Sequence, residues 1–267
     1  MNLWRPYTKA MLTNPFLWFW AVAFMAFWVA IGAFVESQGI GPSHATVVAY
    51  TTSWYALIVL FSLSMLAVAI ANSLTYGSSA LAYAFRFTRL TPEGYLGSIV
   101  GGSAILGGVL SFALLGATVG MFGSRFGSVL LPADPLGLLA VALLGGVFFM
   151  ALSVTLILVV INYLGLRSAS FVGFVPLLIS FSLGNAQAYV ALPRWLLYGS
   201  PFNDLASLLY QAYSGTPATV VLGTASAALD WSGLLLGVLL WTALLTGTSI
   251  LLLRRIRARQ LEEGRQI

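Results

Sequence analysis

Cysteine is absent from the 267-residue chain, and charged residues make up only 7% of it. Histidine occurs once, as His44, and lysine once, as Lys9. Each shortage removes a class of chemistry. Without cysteine there is no disulfide frame, thiol chemistry or cysteine-bound metal. One histidine cannot supply paired haem ligands or a zinc site of the membrane-protease kind. A serine–histidine pair would have to use His44, which has no convincing partner in the sequence. No G-x-x-x-x-G-K-[ST] loop exists, so the chain does not hydrolyse ATP by itself and binds no cofactor of its own.

The low charge also sets the class. A soluble domain carries about 25% charged residues, and 7% cannot cover a water-facing surface. With 60% hydrophobic residues and a mean hydropathy of +0.95, the chain reads as an all-α polytopic membrane protein. It forms a single membrane domain over residues 1–267, with no room for a large soluble one. The net charge of +5 bears on orientation in the bilayer, and nucleic acid is not expected as a partner.

Six apolar stretches are long enough to cross about 30 Å of hydrocarbon: residues 16–35, 47–74, 96–122, 136–164, 170–192 and 231–253. The first is too long and too rich in Trp and Phe for a signal peptide and is expected to be retained. Ahead of it, Arg5 and Lys9 face away from Trp4, Tyr7 and Met11. That pattern suits an amphipathic interfacial helix, and a frayed tail fits it as well. The third stretch carries two G-x-x-x-G pairs, Gly97–Gly101 and Gly116–Gly120, which mark close packing within the chain or in a dimer. Pro176 and Gly184 are expected to interrupt the fifth. Residues 200–229 read as two short helices at, or dipping into, the outer interface; Ser200-Pro201 is an N-cap and first helical position.

Charge placement tests the six-span count. With the N-terminus inside, ten of the twelve basic residues fall on the inner side, Arg86, Arg89, Arg167, Arg254 and Arg255 among them. Four of the seven acids, Glu36, Asp134, Asp204 and Asp230, fall outside. This follows the positive-inside rule, so both termini are expected in the cytoplasm and the protein in the plasma (inner) membrane. No charged residue falls inside a span, which argues against ion-coupled transport. Asn72, Asn162, Asn185 and Gln187 are the strongest polar groups near the spans. They either line a pathway or hydrogen-bond between helices.

The stretch from Tyr76 to Ser98 is the longest interruption between apolar segments in the first two-thirds of the chain. It carries Arg86, Arg89 and Glu93 and a turn at Pro92, and it reads as a cytoplasmic elbow or as an inert loop. Its segments Gly77-Ser78-Ser79-Ala80-Leu81, Thr88-Arg89-Leu90-Thr91-Pro92 and Tyr95-Leu96-Gly97-Ser98 resemble the loop after span two in the ABC-2 type permeases. Pro201-Phe202 through Leu209 is similar to the proline-led helix before span six of that family. The layout of the whole chain resembles it too. The family often has a glutamate before the Arg/Pro turn, where this chain has Ala82, Ala84 and Arg86, and Gly-Lys in place of Gly97-Ser98.

The resemblance implies a membrane subunit of an ABC exporter, not itself an enzyme. It pairs with a second permease subunit and with cytoplasmic ABC ATPase subunits that carry the ATP. A coupling helix within about Ser79–Pro92 would take the push, with Phe85, Arg86, Arg89, Leu90, Thr91, Pro92 and Glu93 as its contact or shape residues. Uncharged spans and short outer loops favour an amphipathic, lipid-like or drug-like cargo. An ATP-independent transporter or channel, and a non-transporting membrane anchor or assembly subunit, are the alternatives.

Overall fold

The computed structural model describes residues 4–41, 43–164 and 170–256. Its axis is helix α3, His44–Phe87, 44 residues long. Along its most apolar stretch α3 is almost entirely buried by the other helices. Around it lie α1 (Trp4–Leu12), α2 (Pro15–Glu36), α4 (Pro92–Phe126) and α5 (Pro135–Leu164). They are followed by α6 (Val175–Tyr189, entered by a 3-10 turn at Ser170–Phe174), α7 (Arg194–Gly199), α8 (Pro201–Ser214) and α9 (Trp231–Arg254). Six helices are long and apolar enough to cross a membrane, as the hydropathy pattern predicts. The predicted Arg167 turn and the basic tail with Arg257, Arg259 and Arg265 lie outside the described residues.

Local chemistry starts these helices at defined points. Asn14, Thr91, Asp134 and Ser200 each precede a proline and accept a hydrogen bond from a backbone N–H two or three residues on. The side chain satisfies an orphan donor, and the proline supplies a helical φ where no N–H is needed. Gly127 and Gly215 close α4 and α8 in the left-handed conformation, at φ +65° and +71°.

Hydroxyl groups staple the helices together. Tyr55 and Ser111 share a 2.6 Å hydrogen bond between α3 and α4. Ser153 donates to the Ala67 carbonyl at 2.6 Å, and Thr155 meets Ser249 at 2.9 Å. Ser62 donates to the Ala21 carbonyl at 2.7 Å, where α2 relaxes into a π-turn. The closest crossing is α4 on α5. A Cβ on Gly107 would run into the Ala142 carbonyl, and one on Gly146 into the Ser103 carbonyl. The G-x-x-x-G pairs are not the seam within the chain: nothing approaches the missing Cβ positions of Gly97, Gly101, Gly116 or Gly120.

Four further details refine or correct the sequence expectation; the helix expected within the elbow is present but is continuous with the second span. The elbow is mostly helix: α3 continues to Phe87, and the break is confined to residues 88–91. Pro176 sits in the first turn of α6, where it breaks nothing, and Gly184 lets Leu57 and Leu60 of α3 approach. The amphipathic α1 packs on α4, with Tyr7 over Gly102. Residues 218–229 form a turn-rich hairpin, not a helix, closed by a Thr219–Ala228 bridge. β-branched Thr219, Val220 and Val221, followed by Gly223 at φ +75°, favour that outcome.

Helix α8 is the largest surprise of placement. It is enclosed by the other helices: twelve of its 14 residues are buried. Phe202 packs edge-on to Phe148 and Phe149 of α5, with ring centroids 5.5 and 5.8 Å away. Tyr213 packs at a tilt against Tyr55, with ring centroids 4.9 Å apart, and donates to the Leu130 carbonyl at 2.6 Å. The Ala133 and Asp134 amides donate to its last carbonyls at 2.8 and 3.0 Å. Its polar residues Asn203, Asp204 and Ser207 are buried along with the apolar ones, so other elements cover both faces.

Candidate functional site: an apolar cavity, a buried acid and the elbow

Three places in the bundle hold chemistry. The first is a cavity of about 620 Å³ between α2, α3, α6 and the 218–229 hairpin. Phe24, Trp28, Trp54, Phe61, Phe181 and Tyr189 give its wall an aromatic character. Glu36, Tyr50, Ser53 and Asn185 add a few polar groups. Tyr50 donates to the Gly32 carbonyl at 2.9 Å, and Asn185 Nδ2 to its own helix at Phe181 O, 2.8 Å. An aromatic wall with sparse polar groups accommodates an amphipathic molecule. Leu222 and Gly223 at the hairpin tip also line it. Gly223 has no room for a Cβ, which would fall 2.7 Å from Ser53 Oγ.

Gly32 sets the cavity's shape. A Cβ there would lie 2.6 Å from Trp54 Cδ2, so Gly32→Ala must push the indole aside. Overpacking of this kind costs about 1–3 kcal/mol. Gly32→Ala is expected to weaken binding of an amphipathic fluorescent probe roughly tenfold, while the thermal transition falls by only about 2–8 °C. A fluorescence titration beside a melting curve in detergent checks both.

The second place is the polar side of α8. Gln187 of α6 donates to Ser207 Oγ at 2.8 Å and accepts from Asn203 Nδ2 at 2.9 Å. Asn203 also donates to the Leu183 carbonyl at 3.1 Å. Next to this network Asp204 is completely buried, and neither of its carboxyl oxygens has a hydrogen-bond partner. Its Oδ2 packs on Gly237 of α9, near the Tyr198 carbonyl. Burial alone pushes this carboxyl up, to about 8; an ionised form would be stranded in apolar surroundings. The sequence places Asp204 in an outer segment because α8 does not span. No local signal marks it as buried, because Asn203, Asp204, Ser207 and Gln211 share one ordinary polar helix face.

The third place is the elbow. Thr88 N donates to the Ala84 carbonyl at 2.9 Å, and Leu90 N to Thr88 Oγ1 at 3.1 Å, which fixes the turn. Phe85 is half-buried edge-on to Tyr95, with centroids 5.9 Å apart, and joins the end of α3 to the start of α4. Leu90 and Pro92 are half-buried; Arg86, Arg89, Thr91 and Glu93 are exposed. Glu93 is already engaged: Arg254, at the end of α9, donates to its Oε1 from Nε at 2.9 Å and from Nη2 at 2.6 Å. Both partners are solvent-exposed, so this pair adds little stability and acts as a register pin.

The four polar candidates do not converge. Asn185 lines the cavity. Asn162 Nδ2 donates across to the Leu252 carbonyl of α9 at 3.0 Å, and Gln187 joins α6 to α8. Asn72 is half-buried on α3 and lines neither this cavity nor the cleft beside the elbow. Two of the four therefore bond between helices and one faces a cavity. Among the described residues no cluster of His, Asp or Glu could hold a metal ion. No family model matches the chain, and no curated protein matches it.

Proposed function

We propose that the chain is the permease subunit of an ABC exporter of the ABC-2 type, working with a second permease copy and separate ATPase subunits. One observation carries this reading: α3 is a single lever. Its 44 residues extend about 66 Å, well beyond a bilayer's ~30 Å core. Near one end Tyr50, Trp54 and Phe61 line the apolar cavity; at the other it ends in the exposed elbow. A push on the elbow tilts the same rod that walls the cavity. Phe85 against Tyr95 and Glu93 against Arg254 couple that push to α4 and α9. The cargo that suits the cavity is an amphipathic, lipid-like or drug-like compound.

A second reading, transport coupled to protons without ATP, is favoured by buried Asp204. Its position removes the objection that the bundle holds no acid.

Affinity purification from the native membrane separates the two. Under the first reading an ATPase with a phosphate-binding loop co-purifies with the wild type and is lost, or uncoupled, when Arg86 and Arg89 are both changed to Ala. Equal recovery with both forms keeps the permease and removes these arginines from the contact. If no ATPase is recovered in mild detergent, the proton-coupled reading takes its place.

A further inference from the structure

The elbow, the end of α5 and the end of α9 enclose a second cleft, of about 670 Å³. Arg86, Arg254 and Arg255 all border it. Glu93 neutralises Arg254. Among the described residues Arg86 and Arg255 have no ion pair, and Arg255 reaches only the Tyr163 hydroxyl, at 3.4 Å. The cleft therefore holds a surplus of two positive charges. Phe85, Pro92, Leu253 and Ile256 give it an apolar wall. Asn162 is already engaged: its Nδ2 donates to the Leu252 carbonyl at 3.0 Å.

This combination fits a particular ligand. Guanidinium groups bind phosphate oxygens in pairs of parallel hydrogen bonds. The apolar wall lies where two membrane helices end and suits the first methylenes of a lipid. Basic pockets between helices at a membrane surface are suited to anionic headgroups. We propose that the cleft is a binding site for the phosphate of an anionic phospholipid, with Arg86 and Arg255 as its charge partners and the apolar wall as the seat of its first methylenes. A lipid seated there bridges α3 to α9 beside the Glu93–Arg254 pair. The site shares Arg86 with the elbow, while Arg255 belongs to it alone. Arg89, at the turn, does not border it.

Native mass spectrometry of the full chain in mild detergent tests this, titrating phosphatidylglycerol against phosphatidylcholine. The expected preference for the anionic lipid is about thirtyfold, and the Arg86→Gln/Arg255→Gln double variant is expected to lose it. Glu93→Gln, which removes the opposing charge, is expected to strengthen binding a few-fold. Arg89→Gln is expected to bind as the wild type does. Each single Arg→Gln variant is expected to lose about fivefold, and decides the matter if the double variant does not fold. No preference in the wild type, or equal binding by wild type and variants, would overturn the site. Displacement of the lipid by millimolar inorganic phosphate would overturn the lipid assignment in favour of a soluble phosphate compound. Retention against phosphate supports the lipid. None of these outcomes depends on whether an ATPase co-purifies.

Discussion

Replacing Asp204 by asparagine is expected to flatten the pH dependence of the protein's stability. In the folded chain burial pushes this carboxyl from its ordinary 3.8 up to about 8. Between those values the folded state holds a proton that the unfolded state has released. The free energy of unfolding therefore falls as pH rises through that window, by about 1.4 kcal/mol per unit for this one group. The loss is complete above the folded value. Below the unfolded value the two states are protonated alike and the effect vanishes. Asparagine keeps the shape and cannot ionise. Melting curves in detergent from pH 5 to 9 are expected to show the wild type losing several degrees that Asp204→Asn retains, on the order of 5 °C or more at the alkaline end. Parallel curves would show that the acid is solvated or paired in solution. They would also remove the observation that favours proton-coupled transport, since that reading needs a buried carboxyl able to gain and lose a proton.

Gly146→Val is expected to prevent assembly of the bundle. The α4–α5 crossing brings Gly146 against the Ser103 carbonyl and Gly107 against the Ala142 carbonyl. The obstacle is backbone on both sides, so no side-chain rotation relieves it. The helices must separate along their length, and the buried hydroxyl staple between Tyr55 and Ser111 on the neighbouring α3–α4 seam loosens with them. Overpacking that a rotamer can absorb costs about 1–3 kcal/mol, and this site lies above that range. The variant is expected to aggregate or to melt more than about 10 °C lower. Gly101→Val and Gly116→Val are the informative comparison. Their missing Cβ positions meet nothing within the chain, so they are expected to leave the monomer's transition unchanged. A large fall for either would show that those faces are covered by a second copy in the membrane. Size-exclusion profiles and melting curves of the four proteins distinguish these results.

The two predictions fall on residues that the sequence treats very differently. Gly146 sits in the fourth apolar stretch without any motif around it, whereas Gly97–Gly101 and Gly116–Gly120 carry the recognisable spacing. A small-residue pair says that two helices could come close; which of several glycines does so depends on the rotation of each helix about its axis. That rotation is set by all its neighbours at once. Asp204 is similar. In the sequence it is an acid just after Ser200-Pro201, and a short helix led by a capped proline reads as well at an interface as inside a bundle.

The elbow shows the same limit. Arg86, Arg89, Pro92 and Glu93 stand out as polar punctuation between apolar runs, and they do sit together at one end of the molecule. That Tyr76–Phe87 is helix continuous with the second span was hidden. Turn-forming Gly77, Ser78 and Ser79 suggest a break, yet α3 runs through them, with Ser78 buried and donating to the Thr75 carbonyl at 3.1 Å. The engagement of Glu93 by Arg254 joins residues 161 positions apart, a distance over which no local pattern reports.

What the sequence determined by itself is therefore the solvent and the scaffold. Scarce charge and six long apolar runs leave only a membrane bundle, because an unpaired backbone in lipid must close its hydrogen bonds within helices. The Ser200-Pro201 pair marks where the short helix α8 begins. What only the tertiary structure decided is which polar groups are removed from water, which glycines touch backbone, and which end of one long helix walls a cavity while the other carries the elbow. Those outcomes depend on helix rotation and on pairing between distant segments. The physical reason is that burial is a property of the whole packed bundle, whereas the pattern along the chain fixes only each helix's length and the choice of faces it can offer.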